Sequence, residues 1–305
     1  MKDGFIKVAA ATPEIHVADC AFNADNILTL CQEANEQGVQ VIGFPELCLT
    51  GYTCSDLFLH EVLLEGAKQQ LLRIAKETKD MDMLILIGIP VRVRGALYNC
   101  AAVLHKGDIL GMVPKRNIPN YTEFYELRHF TEATAETAEY LTWGDQEFAL
   151  SPMQVFQCTE MPEFTVGAEI CEDLWVSNPP SSALAAAGAT ILYNLSASDE
   201  IIGKAAYRRD LVRMQSGRGQ CGYVYCDAGQ GESSTDLVFA AHNIIAENGS
   251  ILAQSKRFAT GLTISEIDVK RMDYERRRQN TFHTEDVFDY AEIPFDMQLR
   301  ETELT

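Results

Sequence analysis

Apolar residues recur along this chain in two alternating rhythms. Residues 6–12 (IKVAAAT), 39–44 (VQVIGF) and 83–91 (MLILIGIPV) are short, nearly continuous apolar runs, the pattern of strands buried on both faces. Between the first two, Ile27, Leu30, Cys31 and Ala34 recur at helical spacing and predict a helix over 24–36. A longer amphipathic helix is expected over 56–79, with Leu57, Val62, Leu64, Leu71, Leu72 and Ile74 at its apolar positions. The rhythm then changes. Residues 98–104, the turn Lys106-Gly107-Asp108 and residues 109–113 predict an antiparallel hairpin.

The alternation resumes with strands at 165–171 and 189–195, helices near 181–187 and 204–215, and a strand at 223–228. Strands over 236–245 and 250–255, joined by Glu247-Asn248-Gly249, predict a second hairpin, and 261–268 one more strand. Parallel-type crossovers mixed with hairpins, twice over, predict two packed sheets with helices outside. Periodicity fades from about Met272, so we expect a domain over 1–271 and a linker or partner-docking tail over 272–305.

Composition narrows the function classes. The 305 residues are 47% hydrophobic and 23% charged, which suits a globular protein with a full core. Lys and Arg number 25 against 44 Asp and Glu, a net charge of -19. Such a surface repels phosphate backbones and anionic lipids, so neither nucleic acid nor membrane partners are expected. No run reaches the roughly 18 apolar residues of a membrane span. Lys7 interrupts the first apolar run, which therefore reads as a core strand and not as a signal peptide. The nine cysteines are odd in number and no pair has a two-residue gap, so we expect free thiols, no metal site and a reducing cytoplasm. The sequons at Asn120, Asn194 and Asn248 then read as coincidental. Gly217, Gly219 and Gly222 satisfy G-x-G-x-x-G, but a helix precedes them and a strand follows. A dinucleotide site needs the reverse order, so this segment reads as a helix-to-strand turn.

Three polar residues end buried runs: Glu46 in GFPELCLTGY, Lys115 in GMVPKRNIPNY and Cys171 in GAEICEDLW. Singly they read more readily as a cap or solvated charge, a surface charge and a core thiol. Together, and in this order, they resemble the Glu-Lys-Cys set of the carbon–nitrogen hydrolase (nitrilase) superfamily. FPELCLTGY, PKRNIPNYTEFYELRHF, EICEDLWVSNPPS, NLSAS, AGQGESSTDLVF and ENGSILAQS are similar to the glutaminase domain of glutamine-dependent NAD+ synthetases.

That resemblance implies an α/β fold, the four-layer αββα sandwich, packed into homo-oligomers. It implies Cys171 as a nucleophile forming a γ-glutamyl thioester, Glu46 as general base and acid, and Lys115 as the cation at the oxyanion. Acidic neighbours, Glu172, Asp173 and Glu46, should keep the thiol protonated until attack. Glu126, ahead of Glu123, matches the superfamily's second glutamate. Tyr121, Ser198 and Lys204 match glutamine-binding positions, with Tyr52, Phe124 and Glu172 beside them. No cofactor is implied for this domain; ATP and Mg belong to a synthetase domain expected C-terminal to it, the partner that would consume ammonia from L-glutamine. The isolated chain should then be a weak glutaminase. A free-standing amidase of the same superfamily and a silent scaffold remain the alternatives.

Overall fold

Strands apolar on both faces need cover on both sides, and the chain supplies it in four layers. The computed structural model describes residues 1–282 and 289–305. One sheet holds β1 (Phe5–Thr12), β2 (Val41–Gly43), β3 (Leu84–Val93), β4 (Ala96–His105), β5 (Asp108–Pro114), β6 (Glu139–Trp143), β7 (Gln146–Leu150) and β14 (Gly261–Asp268). Its strand order is β14-β1-β2-β3-β4-β5-β7-β6. The other holds β8 (Gln154–Cys158), β9 (Thr165–Ile170), β10 (Ile191–Ser196), β11 (Gly222–Asp227), β12 (Ile244–Glu247), β13 (Ser250–Gln254) and β15 (Ala291–Phe295). That order is β13-β12-β11-β10-β9-β8-β15. Helices α1 (Cys20–Glu36) and α2 (Glu61–Glu77) cover the first sheet; α3 (Pro180–Ala186) and α4 (Lys204–Gly219) cover the second. This is the expected αββα sandwich.

The side-chain alternation of a strand explains why the runs are continuous. In β3, Leu84 and Leu86 face the second sheet, while Ile85, Ile87 and Ile89 face α1 and α2. In β10, Ile191, Tyr193 and Leu195 point between the sheets and Leu192 points toward α3 and α4. Tyr193 brings a polar group into that interior: its hydroxyl reaches across to the carbonyls of Val41, at 2.9 Å, and Ala9, at 3.3 Å.

Strands β1, β2 and β3 are mutually parallel, as are β9, β10 and β11, joined through α1, α2, α3 and α4. Two antiparallel steps bring β5 back to the direction of β3. The residues following β2, β5, β9 and β10 therefore gather at the carboxyl ends of their strands, where open α/β sheets present side chains to a crevice.

Several expectations are corrected. The helix expected over 56–79 breaks at His60, which is extended (φ -92°, ψ 124°), into a 3₁₀ turn, Ser55–Leu59, and α2. Leu57 and Val62 lie off the buried stripe of Leu63, Ala67, Leu71, Ile74 and Ala75 and are exposed. Of the strand expected over 236–245, only its last two residues join β12. The preceding backbone instead serves buried polar groups: His242 N–H donates to Asp227, and the Asn243 side chain bridges Asp227 N–H and the Thr12 hydroxyl. The hairpin β6–β7 and strand β8 carried no expectation.

The tail also differs. A boundary at residue 272 falls inside α5 (Val269–Arg278), and Arg276 anchors that helix on the carbonyls of Ala189, Gly219 and Gln220. Strand β15 pairs in parallel with β8, and residues beyond it return to the N-terminus, where Lys2 N–H donates to Arg300 O. Residues 283–288 of the expected tail lie outside the described residues. The G-x-G-x-x-G segment is the helix-to-strand turn expected, between α4 and β11.

Gly88 shows how closely the loop carrying Glu46 lies on β3. A Cβ there would sit 2.2 Å from Leu47 N and 2.4 Å from Pro45 O, both backbone atoms. Gly88→Ala must displace that loop, and should lower unfolding free energy by about 1–3 kcal/mol in urea titrations.

Candidate active site

Four side chains from opposite sheets meet where the strands end. Glu46 follows β2 and Lys115 follows β5; Cys171 follows β9. Glu126 comes from a 3₁₀ turn, Glu126–Arg128, in the long connection after Lys115. The Lys115 ammonium lies 2.6 Å from Glu46 Oε1 and 2.8 Å from both oxygens of Glu126, with no exposed side-chain surface. Glu46 Oε1 also accepts from Asn99 Nδ2 at 2.6 Å, and Oε2 from Ala197 N–H at 3.0 Å.

One ammonium cannot neutralise two carboxylates. The cluster carries a net negative charge away from water, so one proton is easily regained. Burial pushes Glu46 up to about 7, with the Glu126 charge adding to it and Lys115 opposing. Burial likewise raises the Cys171 thiol well above its ordinary value, and Glu46 and Glu126 raise it further. The thiol is therefore neutral, with burial the leading cause. Glu172 is taken up by the Tyr121 hydroxyl, and Asp173 by the Asn117 side chain and the amides of Asn117 and Ile170.

The backbone turns sharply at Cys171, with φ +43°, as strand gives way to the 3₁₀ turn Cys171–Leu174. Such a conformation costs of the order of 1–3 kcal/mol and lifts a side chain off the sheet. Asn194 holds the turn from behind, its side chain 3.4 Å from the Cys171 carbonyl and 3.4 Å from Glu169.

A second group of residues forms a mixed aromatic and charged wall. The Tyr121 and Phe124 rings are 5.6 Å apart, and the Tyr121 hydroxyl donates to Glu172 at 2.9 Å. Lys204 places its ammonium over Phe124 and over Trp175, 5.1 Å from the latter's ring, and pairs with Asp199. Lys204, a glutamine-binding position by the resemblance, shares its charge with Asp199. Ser198 is buried with its hydroxyl toward Arg208, 3.4 Å away, and its N–H on Asp227. Tyr52 packs edge-on against Phe239 and donates its hydroxyl to Glu126 at 2.8 Å. Tyr52 and Glu126 also line a neighbouring cleft of ≈310 Å³ with Phe58, Tyr125, Phe130 and Leu237; Cys171 does not line it. Among the described residues, no group of three or more His, Cys, Asp or Glu side chains is placed to hold a metal ion.

Sequence reasoning missed Asn99, the Ala197 amide, Trp175 and Asp199. Asn99 left a trace, as a lone amide inside the apolar run of β4; the others are tertiary juxtapositions.

Comparison with known proteins now bears on this geometry. The carbon-nitrogen hydrolase family model matches residues 7–277. The chain belongs to the carbon-nitrogen hydrolase family. Among relatives of this carbon-nitrogen hydrolase, a glutamine-dependent NAD(+) synthetase of Mycobacterium tuberculosis is 39% identical over 281 residues, 92% of this chain and 41% of that protein. A solved glutamine-dependent NAD(+) synthetase from Cytophaga hutchinsonii is 27% identical with a TM-score of 0.77, covering 90% of this chain and 47% of that one. The chain thus spans less than half the length of these synthetases. An amidase from Nesterenkonia sp., 18% identical with a TM-score of 0.68, matches over 92% of this chain and 98% of its own, a likeness of fold.

A carboxylate titrating near 7 beside a thiol that stays protonated can accept the thiol proton as the sulfur attacks. Alkylation of Cys171 by iodoacetamide, followed by peptide mass spectrometry, should then rise with pH through about 7. A rise only above pH 9 would rule out Glu46 as the base.

Proposed function

We propose that this carbon-nitrogen hydrolase cleaves the side-chain amide of L-glutamine and delivers ammonia to an ATP-dependent NAD+ synthetase domain. The observation that carries the reading is the buried Glu46–Lys115–Glu126 cluster beside a neutral Cys171. The sequence relatives, all glutamine-dependent NAD(+) synthetases among those compared, give the direction of the chemistry.

In this mechanism Cys171 Sγ attacks the amide carbon while its proton passes to Glu46. The developing oxyanion is met by the Lys115 ammonium and by the Glu172 N–H that opens the 3₁₀ turn. Glu46 returns the proton to the departing nitrogen, ammonia leaves, and a γ-glutamyl thioester remains. Glu46 then takes a proton from water, whose oxygen attacks the thioester, and glutamate and the free thiol are released. Glu126 keeps Lys115 charged and in place. No step calls for a metal or cofactor, and ATP and Mg would serve the synthetase domain.

The wall of Tyr121, Phe124 and Trp175 suits the aliphatic stem of glutamine. Both charge signs stand at its end: Glu172 and Asp199 for the α-amino group, Lys204 for the α-carboxylate. Because Asp199 already pairs with Lys204, glutamine must compete for that cation, and a partner domain that shifts this pair would activate the site. Nine free, buried thiols suit a reducing cytoplasm, and homo-oligomers of the sandwich complete the reading.

The chain should release ammonia from L-glutamine slowly, with Cys171→Ala at background and a glutamyl adduct on the Cys171 peptide of the wild type. Lys115→Gln should lose on the order of 10²–10³ in kcat. Ammonia release unchanged in Cys171→Ala defeats the nucleophile assignment. Comparable turnover of simple aliphatic amides favours the free-standing amidase, and full glutaminase activity without a synthetase domain contradicts the need for one.

A further inference from the structure

One carboxylate that the mechanism does not use is tied to it by a continuous chain of hydrogen bonds. Glu232 lies in the loop between β11 and β12, 180 residues from the segment it grips. Its Oε1 accepts from Tyr52 N–H at 2.7 Å, and its Oε2 from Thr53 N–H at 3.0 Å and from the Thr53 hydroxyl at 2.6 Å. All three donors are neutral. Ser233 N–H closes the clamp from the same loop by donating to the Thr53 hydroxyl at 2.9 Å.

The loop is seated to do this. Gly231, at φ +104°, precedes Glu232, and a Cβ there would fall 1.7 Å from the Ile15 carbonyl oxygen. The neighbouring Gln230 carbonyl accepts from Ile15 N–H at 3.2 Å. The close approach leaves room for glycine alone and fixes where the next residue's carboxylate stands.

The gripped segment reaches the reaction. Tyr52, whose backbone Glu232 holds, donates its hydroxyl to Glu126 Oε1, and the same oxygen contacts Lys115. Glu232 anchors the Tyr52 main-chain N–H, and the Tyr52 ring leans on Phe239 from the segment that follows Glu232. Without the clamp, Tyr52 and Thr53 lose three hydrogen bonds at once, and the Tyr52 hydroxyl is free to leave Glu126.

We propose that Glu232 is a positioning residue for the reaction, acting by holding the Tyr52–Thr53 backbone so that the Tyr52 hydroxyl fixes Glu126 against Lys115. It touches no reacting atom. The proposal rests on the mechanism above in taking Cys171 as the reacting thiol and Glu46 as its base, and its test needs no glutamine.

The test follows carbamidomethylation of Cys171 by iodoacetamide, in which the sulfur–carbon bond forms, iodide leaves and the thiol proton passes to Glu46. Rates are measured across pH on the full chain for wild type, Glu232→Gln, Tyr52→Phe and the double variant. Both single variants should slow by about tenfold and move the pH of half-maximal rate by the same amount. The double variant should be no worse than either, because both remove one contact chain. An unchanged rate in Glu232→Gln, or losses that multiply in the double variant, overturns the proposal. Thermal unfolding checks that each variant is folded. Should Glu232→Gln not fold, Thr53→Ala, which deletes one of the three bonds, should show a smaller loss in the same direction, and an unchanged rate there overturns the proposal equally. Wild-type alkylation that is normal while glutamine is untouched would defeat the glutaminase reading and leave this one standing.

Discussion

Everything at the centre of this molecule follows from placing one ammonium between two carboxylates where water cannot reach. Buried ion pairs of this kind rarely stabilise a fold, since the cost of stripping water from each charge rivals their attraction. Here the imbalance is built in, two negative charges to one positive, so the cluster cannot rest as a simple salt bridge. It holds Glu46 at a proton affinity useful near neutrality and keeps Lys115 a cation. Asn99 and the Ala197 amide hold Glu46 in place, and Tyr52 holds Glu126. The surrounding sandwich is largely the means of keeping these groups dry and aimed.

That aim requires two sheets. Glu46, Asn99 and Lys115 stand on one; Cys171 and Ala197 stand on the other. The parallel crossovers direct the chain to the same end of both sheets, so groups distant in sequence arrive together without a long search through loops. The acidic surface has no part in this arrangement, which is why net charge spoke only against nucleic acid and membrane partners.

The layers and the polar residues that meet between the sheets were legible because each leaves a local mark. Strands with two buried faces are continuous apolar runs, and polar residues that end such runs are conspicuous. The second set was less so. Leu57 and Val62 are apolar yet exposed, and they extended a helix that ends its first turn at His60. Residues 236–243 look like a strand by composition, but the His242 N–H answers to Asp227 and the Asn243 side chain to Thr12, partners invisible in local pattern. Strand β15 alternates poorly because three of its five residues are exposed; only its pairing with β8 makes it a strand. Lys204 was picked out by resemblance, and no hydrophobic or helical pattern announces that Asp199, five residues before it, turns back to meet it.

Tyr193 has a consequence beyond packing. Its hydroxyl ties β10 to the carbonyls of β1 and β2 across the interior, as the Gln154 amide on the Met112 carbonyl and the Asn243 amide on the Thr12 hydroxyl do elsewhere between the sheets. Apolar layers can slip past one another at little cost, but a hydrogen bond between them tolerates only small offsets. Gly43 lets the ring approach, leaving just 2.3 Å to where a Cβ would lie. Since Glu46 and Cys171 ride on different sheets, such contacts act as gauge blocks between them: they convert the spacing of the sandwich into the machining tolerance of the site.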